Sequence, residues 1–289
     1  MIFMNLPIAD LHTDPRGLHE GQAGQAGLSE PDLEPCHHRT LFISDVHLGT
    51  RGCRAELLVD FLRYHSADTI FLVGDIVDAW RLRRSWHWPQ SHNDLVQKLL
   101  RLARKGCRII YLPGNHDEML RDYPGLVLGG VTIQDQVLHV TADGRRLLVL
   151  HGDAFDGVIL TSKWLAHLGA WAYELTSRLN NGFNRVRRWL GYPYWSLAGF
   201  LKHQVKNAVS FIDKYERTLL AEARRQGCDG VICGHIHHAE IRVQDGLLYC
   251  NTGDWVDNCT AVAEAADGSL EILRWTELRG PVARPAAAA

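Results

Sequence analysis

TIFLVGDIVDAW, residues 69–80, joins a short apolar run to an abrupt Gly-Asp. Four to eight apolar residues cut off by a turn residue read as a buried strand, and this strand stops at Gly74-Asp75. The arrangement recurs on both sides. Thr40–Ser44 runs into Asp45-Val46-His47, and Arg108–Leu112 runs into Pro113-Gly114-Asn115-His116. Helical spacings separate the strands: Leu57, Leu58, Phe61 and Leu62 within Ala55–Ser66, then the span Asn93–Lys105. Strands alternating with helices imply parallel pairing through right-handed crossovers.

Farther along, the pattern changes. Val131–Val140 and Arg146–Leu150 flank Asp143-Gly144, a hairpin signal. A long helical stretch follows His151, broken by Gly182 and by Gly191–Pro193. Strands return at Gly230–Cys233, at Glu240–Cys250 around Asp245-Gly246, and at Thr260–Ala263 with Leu270–Trp275 around Asp267-Gly268. The expected organisation is an α/β fold of two β-rich layers covered by helices. It comprises a disordered leader at 1–38, the main domain at 39–154 and 217–276, a helical cap insertion at 155–216 and a flexible tail at 277–289.

Composition sets outer limits. The chain has 289 residues, 46% apolar and 22% charged, which are globular values and exclude collagen-like, disordered and coiled-coil classes. A formal net charge of −2 argues against a general nucleic-acid binder. No run of 18 apolar residues exists to span a membrane. The N-terminus shows no basic start followed by an apolar stretch, so no secretory signal is visible. Seven cysteines without a CxxC pair argue for a reducing compartment rather than a disulfide framework, so a cytoplasmic location is expected. Sixteen histidines are an excess that points to chemistry, since imidazole is the commonest metal ligand.

The chemistry collects at strand ends. Asp45 and His47, then Asp75, then Asn115, His116 and Asp117, then His151 with Asp153, then His235 and His237 each follow an apolar strand. In α/β folds ligands gather at the carboxyl ends of strands, so these groups are expected on one rim. Any one of them alone is an ordinary turn or surface residue; five clusters in order are not. Residues two apart on extended backbone point the same way, so Asp45/His47 and His235/His237 each offer two groups to one cavity. Carboxylate, imidazole and carboxamide without thiolate suit manganese, iron, zinc or cobalt rather than calcium or magnesium.

The ordered set Asp-x-His, Gly-Asp-x-x-Asp, Gly-Asn-His-Asp, His-Gly-Asp and Gly-His-x-His resembles the calcineurin-like metallophosphoesterases, over about residues 40–275. The resemblance implies a four-layer α/β/β/α metallophosphoesterase sandwich and two divalent metal ions, with manganese as first expectation. One ion takes Asp45, His47, Asp75 and His237. The other takes Asp75, Asn115, His151 and His235, with Asp75 shared. The resemblance also implies that His116 donates a hydrogen bond or proton to the phosphate or leaving oxygen. Asp117 is expected to orient His116, as carboxylates do for working imidazoles, the alternative being a helix N-terminal carboxylate.

Gly74-Asp75-Ile76-Val77-Asp78-Ala79-Trp80 and Gly253-Asp254-Trp255 resemble the branch of UDP-2,3-diacylglucosamine diphosphatases of the lipid A pathway. That likeness implies hydrolysis of an acylated nucleotide sugar to UMP and 2,3-diacylglucosamine 1-phosphate. A metal-dependent phosphodiesterase or nucleotidase with a soluble substrate is the alternative. One departure stands out: the best-known lipid A enzymes carry Arg where this chain has His116. The insertion holds Trp164, Trp171, Trp189 and Trp195 among basic residues that include Lys202 and Lys206, four apart on a helix face. Such a mixture suits anionic lipid headgroups at the cytoplasmic face of the inner membrane. A solvated basic face, or a nucleic-acid contact, is the competing reading of the patch alone. Asn115, Lys202, Lys206, Asp156 and Trp80 are the expected substrate contacts. No nucleic acid and no obligate protein partner are expected.

Overall fold

The computed structural model describes residues 34–155 and 212–279. One sheet has seven strands: β1 (Cys36–Ile43), β2 (His65–Val73), β3 (Arg108–Leu112), β4 (Val127–Leu128), β5 (Val131–Ile133), β11 (Thr260–Glu264) and β12 (Leu270–Arg274). Their spatial order is β12-β11-β1-β2-β3-β5-β4. The other sheet contains β6 (Gln136–Val140), β7 (Arg146–Leu150), β8 (Gly230–Cys233), β9 (Glu240–Gln244) and β10 (Leu247–Asn251), ordered β6-β7-β8-β10-β9. Within each, the central strands are parallel: β1, β2, β3 and β5 in the first, β7, β8 and β10 in the second. Antiparallel strands occupy the edges.

Strand alternation sorts side chains into layers. Phe42, Phe71, Ile110 and Val262 of the first sheet meet Val149, Ile232 and Cys250 of the second in a shared core. The outer face of the first sheet packs on α1 (Ala55–Tyr64) and α3 (Gln90–Arg104). These helices bury Leu58, Phe61 and Leu62, and Leu95 and Leu99, at spacings of one helical face. The outer face of the second sheet packs on a helix over residues 212–225 through Tyr215, Leu219, Leu220 and Ala223. Burial of each of these leucine and phenylalanine side chains is worth roughly 1.5–3 kcal/mol. The result is the expected α/β/β/α sandwich.

Three of the expected domain boundaries differ from the sequence reading, and Val131–Val140, read as one strand, is β5 in the first sheet and β6 in the second. β1 begins at Cys36, inside the expected leader, because CHHR pairs in parallel with the start of β2 although it is not apolar. Residues 212–216, placed in the cap, belong to the helix that packs on the second sheet, and Phe155 also packs there. Residues 275–279 form a short helix whose Arg279 Nε lies 2.7 Å from Asp60 Oδ2, so the expected tail starts within ordered structure. Most of the expected cap, including Asp156, Lys202 and Lys206, lies outside the described residues. Among the described residues no helix is long and apolar enough to cross a membrane.

A polar clasp holds the two sheets together at the end away from the strand carboxyl termini. Glu264 of β11, fully buried, accepts from Thr40 Oγ1 at 2.7 Å and the Ala142 backbone N–H at 2.9 Å, lies 2.7 Å from His139 Nε2, and pairs with Arg39. Burial opposes its charge, but the His139, Thr40 and Ala142 contacts prevail and hold the carboxyl at about 2. Glu264→Ala is therefore expected to cost about 1–3 kcal/mol by taking the hydrogen-bond acceptor from Thr40, the Ala142 N–H and His139. Because the folded value is depressed, the contribution is fully present above the usual glutamate range and fades as pH falls toward about 2. Thermal unfolding of wild type and Glu264→Gln at pH 7 and at pH 3 measures this. The gap between them should narrow at the lower pH.

Candidate metal centre

Every expected ligand follows the carboxyl end of a parallel strand. Asp45 and His47 follow β1, Asp75 follows β2, Asn115 follows β3, His151 follows β7, and His235 and His237 follow β8. The five strands come from both sheets, so the groups converge on the rim between them. They do so by a route the spacing did not reveal. Asp45, His47, Asp75, His235 and His237 all have positive φ, between 50° and 72°. Left-handed backbone is uncommon for residues with a side chain and costs roughly 1–3 kcal/mol. Asp45/His47 and His235/His237 therefore do not share a side through extended backbone; each chain segment coils to turn both groups inward.

Three overlapping groups result: Asp45, His47 and His237; His47, Asp75 and His116; and Asp75, His151 and His235. Within each, the ligand atoms lie within 4.8 Å of one another. His237 Nε2 is 3.1 Å and His47 Nε2 3.7 Å from Asp45 Oδ1. Asp75 Oδ2 sits between the groups, 3.5 Å from His151 Nε2, 3.8 Å from His47 Nε2 and 3.9 Å from His116 Nε2. Two close approaches need glycine. A Cβ on Gly114 would fall 2.3 Å from Asp75 Oδ1, and one on Gly74 would fall 2.2 Å from His151 Nδ1.

Surrounding contacts fix the ligands. His151 Nδ1 lies 2.8 Å from Val73 O, which assigns a proton to Nδ1 and turns Nε2 toward Asp75. Asp45 Oδ2 accepts from Ser44 Oγ at 2.6 Å and from the His235 backbone N–H at 2.8 Å. Asp75 Oδ1 accepts from the His116 backbone N–H at 2.8 Å. Arg121 Nη2 bonds both Pro113 O and Asp153 Oδ1, joining the loop after β3 to the one after β7. Gly253-Asp254-Trp255 works from beneath. The Trp255 N–H donates to Asp45 O, while Asp254 caps the N–H groups of Val256, Asp257 and Asn258.

The roles around His116 are distributed differently from the sequence reading. Asp117 is buried and turned away, accepting from Tyr111 Oη and from the backbone N–H groups of Ile76 and Gly114. The carboxylate beside the His116 ring is Asp78, whose Oδ1 lies 3.0 Å from Nδ1. Asp78 also caps α2 (Ala79–Arg84) by accepting from Arg81 N–H. Its signal was in the sequence, three residues after Asp75 in Gly-Asp-x-x-Asp. Trp80 stands against His116, with ring centroids 4.6 Å apart, and is 40% exposed. Asp78, Trp80, Arg81, Arg84 and His116 line a cavity of about 150 Å³.

The electrostatics describe a site rich in negative charge. Burial opposes ionisation of Asp45, Asp75 and Asp78, yet neighbouring imidazoles hold all three below the usual carboxylate range. Burial likewise opposes charge on His47 and His151, but Asp45, Asp75 and Asp78 around the first, and Asp75, Asp45 and Asp153 around the second, push both up to about 10. Asp45 Oδ1, His47 Nε2, Asp75 Oδ2, Asn115 Oδ1 and His151 Nε2 are buried and make no well-aligned hydrogen bond among the described residues. An unsatisfied buried polar atom costs roughly 1–3 kcal/mol. Five together, with clustered carboxylates and imidazoles, fit divalent cations.

A rim of this composition between two mixed sheets defines a class of hydrolase. The calcineurin-like phosphoesterase family model matches residues 38–239, and the chain belongs to that family of phosphoester hydrolases. Among curated proteins it is similar to the UDP-2,3-diacylglucosamine hydrolase of Neisseria gonorrhoeae, 22% identical over 249 residues, which are 79% of this chain and 95% of that protein. The protein of the same name from Edwardsiella ictaluri is 26% identical over 246 residues, 79% of this chain and 89% of its own. That from Chromohalobacter salexigens is 29% identical over 120 residues, 40% of this chain and 47% of its own.

Proposed function

We propose that this phosphoester hydrolase splits the diphosphate of UDP-2,3-diacylglucosamine, giving UMP and 2,3-diacylglucosamine 1-phosphate. The observation that carries the reading is the pairing of an intact ligand rim with a Trp80-walled cavity at its edge. Similarity to hydrolases of that name over most of both chains supports the substrate. Asp45, His47, Asp75 and His237 would hold one divalent ion, and Asp75, Asn115, His151 and His235 the other. Manganese is the expected metal, with iron, zinc or cobalt as alternatives. Such a pair supplies Lewis acidity and positive charge to a phosphoryl group.

The chain's own groups do the rest. Asp78 holds His116 through Nδ1, leaving Nε2 toward the rim, where a proton can pass to the departing oxygen. Trp80 shields one side of His116, and Arg81 and Arg84 place cationic charge beside a phosphate-bearing substrate. Contact with anionic membrane lipid is proposed for the insertion, and Asp156, Lys202 and Lys206 are proposed as substrate contacts. A soluble phosphodiester is the second reading, and His116 in the place of the Arg of the best-known lipid A enzymes favours it.

Acylation separates the two readings. Each methylene removed from water stabilises a complex by about 0.8 kcal/mol, so an enzyme that reads acyl chains gains heavily from them. The expected result is a kcat/KM for UDP-diacylglucosamine at least roughly tenfold above that for deacylated UDP-glucosamine, about 1.4 kcal/mol. Equal values for the two compounds would favour the soluble substrate.

A further inference from the structure

A second set of metal-ligand side chains meets at the amino ends of β1 and β2, the ends away from the rim. Cys36 lies opposite His65 in the parallel register of these strands, and His38 lies two residues beyond Cys36. Alternation puts Cys36, His38 and His65 on one face. The opposite face is separate, for His37 contacts Ser66 Oγ at 2.9 Å and Asp68 Oδ1 at 3.0 Å. The Cys36 sulfur and one ring nitrogen from each of His38 and His65 all lie within 4.8 Å of one another.

The two rings are held in place. His38 is 4% exposed and stacks on His65 at 5.2 Å between centroids. His65 stacks in turn on Phe61 at 4.4 Å and meets the edge of Trp275 at 5.7 Å. His38 Nε2 and His65 Nδ1 are 2.9 Å apart. Two nitrogens bound at ~2.0–2.1 Å to one tetrahedral ion stand roughly 3.3–3.4 Å apart, so a few tenths of an ångström separate this pair from ligand spacing. Cys36 is exposed and leaves the remaining coordination position open to solvent. A thiolate with two imidazoles selects a softer ion than the carboxylate-rich rim does.

We propose that Cys36, His38 and His65 form a separate binding site for one thiophilic divalent ion, zinc by ligand chemistry, which fastens the first residues of β1 to β2. On binding, the proton between the two imidazoles moves to the far nitrogen of its own ring. The thiol proton is released to solvent.

Cobalt as the probe distinguishes this site from the rim, whose ligands include no thiolate. Metal-stripped full-length protein titrated with Co²⁺ is expected to develop a near-ultraviolet thiolate-to-cobalt charge-transfer band whose final amplitude corresponds to one thiolate-bound ion per chain, beside the cobalt taken up by the rim. The band should vanish in Cys36→Ser and persist in Asp75→Asn. Zinc content of Cys36→Ser should fall by one ion per chain, with hydrolysis of bis-p-nitrophenyl phosphate unchanged. Absence of the band from wild type, or its survival in Cys36→Ser, overturns the proposal. Cys36 is exposed, so its replacement by Ser does not put folding at stake.

Discussion

Asp75→Ala is expected to slow hydrolysis of bis-p-nitrophenyl phosphate by about 10⁴-fold or more and to remove most bound divalent ion. The loss exceeds that of one acid or base, typically ~10²–10⁴-fold, because Asp75 serves several partners at once. Its Oδ2 faces His151, His47 and His116 at once, at 3.5, 3.8 and 3.9 Å. Its Oδ1 also anchors the His116 backbone. Asp75→Asn separates these contributions. The carboxamide oxygen can keep the backbone contact, but the charge that chiefly raises His151, and that adds to Asp45 and Asp78 around His47, is gone. Elemental analysis beside turnover decides the matter. Metal content and rate within tenfold of wild type in Asp75→Ala would remove Asp75 from the centre of the site.

The fold was legible where apolar runs met turn chemistry. β3 and β8 have the bounds read from sequence, and the Asp143-Gly144, Asp245-Gly246 and Asp267-Gly268 turns each join antiparallel strands as expected. What escaped was strand without an apolar signal. CHH at the start of β1 and HSAD at the start of β2 are extended because each pairs with the other, a long-range cause that local pattern does not carry. The two-residue β4 and the short α2 leave even less periodicity to read.

The site was legible as a list of residues but not as a shape. Five of its ligands take left-handed backbone, a property that residue spacing does not encode. Asp117 illustrates the limit of adjacency. It neighbours His116 in the chain, yet its carboxylate turns under the loop to Tyr111 and to backbone N–H groups. Asp78 reaches the ring from another loop, 38 positions upstream in the numbering, because α2 starts there and brings its capping carboxylate to the rim.

His116→Ala should leave metal content near that of wild type while lowering kcat by roughly 10²–10⁴-fold, the usual worth of a positioned acid. The expectation rests on the ring's two contacts: Nδ1 is 3.0 Å from Asp78, and Nε2 is on the side of Asp75. A proton on Nε2 matters most when the departing oxygen is a poor leaving group. The loss should therefore be largest for a diphosphate or alkyl ester and shrink for p-nitrophenyl esters. Asp78→Asn keeps an oxygen for the Arg81 N–H that caps α2 but weakens the hold on the imidazole. It should cost roughly 10–100-fold, in the range of partners that act through another group, with the same leaving-group dependence. The competing role is specific, since His116 also lies with His47 and Asp75 in a group close enough to share an ion. If His116→Ala loses metal as severely as His151→Ala, with equal losses for good and poor leaving groups, then His116 is a ligand and the proton comes from elsewhere.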